Sequence, residues 1–250
     1  MTRTVAGPLL CLLAVLVPLT PGVAGEVLVA VAANFSVTAR AIGNQFARQS
    51  GHEIDLSVGS TGKLYAQITQ GAPFDVLLAA DQERPRRLQE SGLAVAGTRF
   101  SYALGRLLLW SPQPGLAEKE PAGLLRDPAL RRLAIANPAL APYGRAARQA
   151  LTALGAWEVL TGRIVFGENV AQAFAMAASG NADLALVGAS LGADGRGSSW
   201  PLAASLYEPI RQDAVLLTHG ADNPAAQEFL RFLRSAAARN FIRAAGYAVD

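Results

Sequence analysis

The chain has 250 residues, 51% of them apolar and 16% charged, with a formal net charge of +3 and one cysteine. That apolar share is ample for one large domain or two modest ones, each with its own core. The arginines are scattered from Arg40 to Arg243 with no basic run and no interleaved aromatics, which excludes nucleic acid from the expected partners.

The first 25 residues, MTRTVAGPLLCLLAVLVPLTPGVAG, carry Arg3 in a short basic start, an apolar run from about Leu9 to Leu19 and small residues at Val23-Ala24-Gly25. The pattern is that of a secretory signal peptide cleaved near Gly25/Glu26, because the run is too short and too broken by proline to span a bilayer. Cys11 lies inside this leader, so the mature chain has no thiol. Acylation of Cys11 fits poorly, since Leu9 and Leu10 precede it and most of the apolar run follows it.

Beyond the leader, β-branched runs alternate with helical patterns. EVLVAVAA predicts a strand, with a helix over 36–49 behind it; EIDLSVG predicts the next, then a helix over 63–70; FDVLLAAD is a third, followed by a short helix ending at Gly92. LGRLLLWSP reads as one long apolar strand. The alternation restarts with RRLAIANP, a helix over 144–154, GRIVFG, a helix over 171–179 and ADLALVG; LGADGRGSSWP reads as a Gly/Ser-rich loop. DAVLLTHG is the last strand, with helices NPAAQEFLRFLRS and AAARNFIRAAG after it. This order predicts an α/β fold with mostly parallel sheets flanked by helices. VAVAANF and RLAIANP echo each other and suggest two similar lobes: 26–104 plus 213–250, and 105–212.

The stretch VGSTGKLYAQI looks like a nucleotide-binding loop but departs from G-x-x-x-x-G-K-[ST], with Ser57 in place of the first glycine and Leu64 in place of the metal-binding hydroxyl. It reads either as an ordinary Ser/Thr helix cap or as a turn whose free N–H groups attract an anion. AANFS at 32–36, GSTG at 59–62, APYG at 141–144 and GENVA at 167–171 share the same design, small or polar residues just before a helix. The first three hold no acidic residue and the fourth only Glu168, so converging turns would make a pocket of donors suited to a fully deprotonated oxyanion.

At these residues the chain resembles the periplasmic molybdate-binding proteins of ABC importers. AANF, VGSTGKL, ITQGAPFDVLLAADQ, NPALAPYGRAARQAL, LGAW and NVAQAF carry the resemblance, which covers nearly the whole mature chain. It implies a type II periplasmic binding protein fold, two α/β lobes closing over molybdate or tungstate, and a monomer delivering it to a membrane permease and its ATPase. It implies no enzymatic activity and no cofactor. The oxyanion contacts it implies fall on Asn34 through its amide, Ser60 through hydroxyl and N–H, and Tyr143 and Val170 chiefly through N–H, with Ala33 and Thr61 as neighbours. One departure is Gly188, where some members have tyrosine. Selectivity against sulfate is set by cavity size and stays open in the sequence.

Other residues read as structural: Lys63 as a solvated first-turn cation, Asp75 and Asp81 as loop and cap residues, His52 and His219 as surface histidines without metal-ligand spacing. The rival reading is a hydrolase, since GASLG at 188–192 matches the G-x-S-x-G nucleophile elbow, with Ser190 as nucleophile and Asp213 and His219 following in order. Against it, ADGRGSSWP follows where a helix should start.

Overall fold

A computed structural model describes residues 24–116, 118–192 and 195–249. The predicted leader, including Cys11, lies outside the described residues except for Ala24 and Gly25. The chain opens with β1 (Glu26–Ala32), a 3-10 turn (Ala33–Phe35), α1 (Ser36–Ser50), β2 (Glu53–Gly59), α2 (Thr61–Thr69), β3 (Val76–Leu78), α3 (Glu83–Glu90) and β4 (Phe100–Gly105). It continues with β5 (Leu107–Ser111), α4 (Pro121–Arg126), β6 (Leu133–Ala136), α5 (Pro142–Ala153), α6 (Trp157–Leu160), β7 (Ile164–Gly167), α7 (Val170–Ala178), β8 (Leu184–Gly188) and β9 (Ser198–Pro201). It closes with β10 (Ile210–Leu216), α8 (Pro224–Leu233) and α9 (Ala236–Ala244).

Two five-stranded sheets form, ordered β2-β1-β3-β10-β4 and β7-β6-β8-β5-β9. In each, one strand runs against the rest: β10 is antiparallel to β3 and β4, and β5 to β8 and β9. These are the two strands by which the chain enters a lobe from the other, so the sheets are mixed for a connectivity reason. The chain leaves the first sheet at Gly105, enters the second at Leu107, and is back in the first at Ile210.

Helices cover the sheets because each carries an apolar stripe. In α1, Ala39, Ile42, Gly43 and Phe46 are buried at helical spacing, and Phe46 meets Phe229 of α8 edge-on at 5.4 Å between ring centroids. A Cβ on Gly43 would lie 3.3 Å from Ile54, so glycine lets α1 sit close on β2. In the second lobe, β6 and β8 are buried along their whole length between helices, which is why LAIA and LALVG read as continuous apolar runs.

The return crossing expected after residue 212 comes earlier, since β10 places Ile210–Gln212 in the first sheet, and two further sequence expectations change. The single strand predicted over LGRLLLWSP is two strands in different sheets, separated at Arg106. An apolar run cannot distinguish one buried strand from two end to end. The predicted loop LGADGRGSSWP contains β9, paired to β5 with Ser198 and Trp200 buried and Ser199 and Pro201 exposed. As an edge strand, β9 tolerates a proline whose missing N–H would break an interior ladder.

Candidate oxyanion site

Each of the four turns starts a helix, and in each the hydrogen-bond accounting leaves N–H groups without an acceptor in the turn. At α2, Lys63 N–H donates to Ser60 Oγ (3.4 Å) and Gly62 N–H to the Leu140 carbonyl (2.8 Å), so Thr61 keeps an N–H with no intrahelical acceptor. At α5, Pro142 has no N–H and those of Gly144 and Arg145 donate to the Ala141 carbonyl, which isolates the N–H of Tyr143. At α7, Gln172 N–H donates to the Asn169 side chain (3.0 Å) and Ala173 N–H to its carbonyl (3.1 Å), leaving Val170 and Ala171. In the first turn Ser36 N–H donates to the Ala33 carbonyl, leaving those of Ala33 and Asn34.

The four turns form a ring. The first packs on α7. The second meets the third through the Gly62–Leu140 bond and the fourth through Lys63 Nζ and Glu168 Oε1 at 2.6 Å. The first and third are linked through Gln212, whose Oε1 accepts from Asn34 Nδ2 (2.8 Å) and whose Nε2 donates to Tyr143 Oη (3.4 Å). Ala33, Asn34, Ser60, Thr61, Tyr143 and Val170 are all buried, so the two lobes are closed on one another. The structure therefore brings all six sequence-predicted positions to one place.

No acidic side chain lies in the first turn of α1, α2, α5 or α7, and Glu168 is paired with Lys63. The site thus offers helix-end dipoles and N–H donors, with no carboxylate opposing an anion. Burial holds the Tyr143 phenol well above the ordinary tyrosine range and raises that of Tyr247 to about 12, so both oxygens stay protonated and neutral.

The side chain of Asn34 corrects the expectation attached to it. Both Nδ2 protons are engaged, one by Gln212 and one by Tyr247 Oη (3.1 Å), so residue 34 presents its main-chain N–H and not its carboxamide. The departure at Gly188 is explained: a Cβ there would lie 3.0 Å from Tyr143 Cε1, so the ring of Tyr143 fills the wall. Gln212 and Tyr247 were not anticipated. Gln212 stands between two charged residues, Arg211 and Asp213, near the start of a strand, and Tyr247 near the C-terminus, remote in sequence from every turn, and no local pattern singles them out.

The hydrolase reading fails on geometry. Ser190 Oγ bonds to the Asn34 carbonyl (3.1 Å) and Tyr247 Oη (2.8 Å), the Asp213 carboxylate is held by Arg99, Ser101 and Gln82, and His219 Nδ1 faces Asp75 Oδ1 (3.2 Å). No triad is assembled, and Ala189 and Ser190 stand in a turn that starts no helix. Asp75 also accepts from Leu28 N–H (2.8 Å) and Asp81 from Arg84 N–H (3.0 Å), the loop and cap roles expected. His52 differs from its expected surface role: its side chain is 15% exposed and its Nδ1 accepts from Gly25 N–H at 2.9 Å.

Comparison with known proteins gives the family. The family model described as "Bacterial extracellular solute-binding protein" matches residues 27–248. Molybdate-binding protein ModA of Azotobacter vinelandii is 47% identical over 231 residues, 91% of each chain. ModA of Rhodobacter capsulatus is 45% identical over 232 residues, 92% of this chain and 91% of that protein. The solved structure of the Azotobacter vinelandii periplasmic molybdate-binding protein superposes with a TM-score of 0.86 at 41% identity, covering 90% of this chain and all (100%) of that one. With four helix-start turns closed around one buried ring and this likeness along its length, the chain belongs to the bacterial extracellular solute-binding protein family.

Proposed function

We propose that this chain is a periplasmic binding protein that captures molybdate, or tungstate, between its lobes and delivers it to the permease and ATPase of an ABC importer. The observation that carries the reading is the ring of helix-start N–H groups with no acidic residue in the first turn of any of the four helices. A tetrahedral dianion without protons needs donors only, whereas a partly protonated phosphate also needs an acceptor. Hydrogen bonds to a charged group contribute about 1.5 to 3 kcal/mol each. Five to seven of them exceed the ~8 kcal/mol of a micromolar complex even after the cost of association. The names of the ModA relatives point to the same cargo.

In this reading the leader is removed near Gly25/Glu26, the mature chain acts as a monomer without cofactor, and it performs no catalysis. The anion bridges both lobes and shifts the population toward the closed form, which is what the permease reads. Sulfate has the same charge and shape with shorter bonds, so the cavity discriminates by reach. Titration calorimetry on refolded, ligand-stripped protein tests this: molybdate and tungstate bind at micromolar concentration or below, with sulfate far weaker. Equal binding of sulfate would reassign the cargo, and no binding of any of the three would end the proposal.

A further inference from the structure

Two residues whose main-chain N–H groups have no acceptor in their turn, Asn34 and Tyr143, also reach each other through their side chains. Asn34 belongs to the first lobe and Tyr143 to the second. Between them stands Gln212, fully buried on β10, which accepts from Asn34 Nδ2 (2.8 Å) and donates to Tyr143 Oη (3.4 Å). Ladder register shifts between Gln212 and Asp213, a bulge that lets both side chains be buried in succession. Tyr102 Oη, 3.2 Å from Gln212 Oε1, fixes the amide from behind.

A second path starts from the same asparagine. Asn34 Nδ2 also donates to Tyr247 Oη (3.1 Å), which lies 2.7 Å from the Asn34 carbonyl and 2.8 Å from Ser190 Oγ of the second lobe. Ser190 Oγ is itself 3.1 Å from that carbonyl. The Tyr247 ring meets Phe35 edge-on at 5.4 Å, so its hydroxyl is held in place by packing. Gln212, Tyr247 and Asn34 belong to the first lobe, while Tyr143 and Ser190 leave with the second when the cleft opens. Opening therefore removes a partner from each path, and the buried groups left behind must be rehydrated.

We propose that Gln212 and Tyr247 are positioning residues that couple occupation of the oxyanion site to lobe closure, by tying the Asn34 carboxamide to two hydroxyls carried by the opposite lobe, Tyr143 Oη and Ser190 Oγ. The proposal rests on the oxyanion-binding reading above and adds to it the device that aligns the N–H groups of the first and third turns when the lobes meet. The same device gives Ser190 a role without catalysis.

The test uses the full mature chain, with molybdate as probe, in wild type, Ser190→Ala, Tyr247→Phe and the double variant. Calorimetry gives affinity, small-angle scattering the dimensions at saturating anion, and thermal unfolding the stability of anion-free protein. Ser190→Ala is expected to weaken binding roughly 2- to 12-fold with an unchanged anion-free midpoint, since its partners lie across the cleft. Tyr247→Phe should weaken it similarly, the double variant should be no weaker than the weaker single one, and all three should saturate at larger dimensions than wild type. Wild-type affinity and dimensions in both single variants, or a loss seen only in the anion-free midpoint, would overturn the coupling while leaving the binding reading intact. Failure of wild type to bind molybdate, tungstate and sulfate would overturn both.

Discussion

Gly62 and Leu140 are joined by one main-chain hydrogen bond across the cleft, from the Gly62 N–H to the Leu140 carbonyl at 2.8 Å. The contact needs glycine: a Cβ on residue 62 would lie 2.6 Å from that carbonyl oxygen and 3.1 Å from Leu140 Cα, both backbone atoms that cannot swing aside. Gly62→Ala should therefore hold the lobes apart at this point. Overpacking of this kind costs about 1 to 3 kcal/mol. Anion affinity should fall by roughly 5- to 150-fold, with little change in the melting point of anion-free protein, as calorimetry paired with thermal unfolding would read.

Ser60 and Asn34 separate a side chain proposed to meet the anion from one whose protons are already engaged within the protein. Ser60→Ala removes a hydroxyl and should weaken binding by about 1.5 to 3 kcal/mol if that hydroxyl donates to the anion, with about 1 kcal/mol of lost capping besides. Asn34→Ala leaves buried Gln212 and Tyr247 without their donor. It should lower the stability of anion-free protein by about 1 to 3 kcal/mol. Denaturant titrations without anion would check this, and wild-type stability in Asn34→Ala would contradict the assignment.

Arg145 of the second lobe bonds to Glu83 of the first at 3.1 Å, and that hydrogen bond holds the Glu83 carboxyl below its ordinary value of 4.5. The sign follows from the shift. A carboxyl whose pKa is lower in the closed form favours closure fully above the ordinary value, and the contribution is lost as pH falls through the lowered one. Molybdate affinity of wild type should therefore decline at pH below about 4.5, and Arg145→Gln should flatten that decline. Parallel pH profiles for the two proteins would show that the pair does not contribute to closure.

Lys63 and Glu168 also pair across the cleft, at 2.6 Å, but their side chains are 52% and 44% exposed. Exposed pairs contribute about 0 to 1 kcal/mol and are screened by salt. Glu168→Gln should change anion affinity less than tenfold, and the difference from wild type should vanish near molar salt. A larger, salt-insensitive effect in equilibrium titrations would mean that Glu168 acts on the bound anion.

The sequence of this protein determined its elements and the positions of its donors. Strand-helix alternation is a local consequence of side-chain period, and a helix start needs only small or capping residues within one turn, so AANF, GSTG, APYG and NVAQ are legible without coordinates. The tertiary structure decided what those starts do together. Which strand crosses between lobes depends on sheet partners that an apolar run such as LGRLLLW does not specify, so the break at Arg106 became visible only with both sheets present. It also decided that the Asn34 carboxamide faces Gln212 and Tyr247, that the Tyr143 ring fills the wall beside Gly188, and that Ser190 lies beside the first turn. Each is a contact between residues far apart in the chain, within one lobe for Asn34 with Gln212 and Tyr247 and for Tyr143 with Gly188, and across the cleft for Ser190 with Asn34, and local propensity carries no information about so distant a partner.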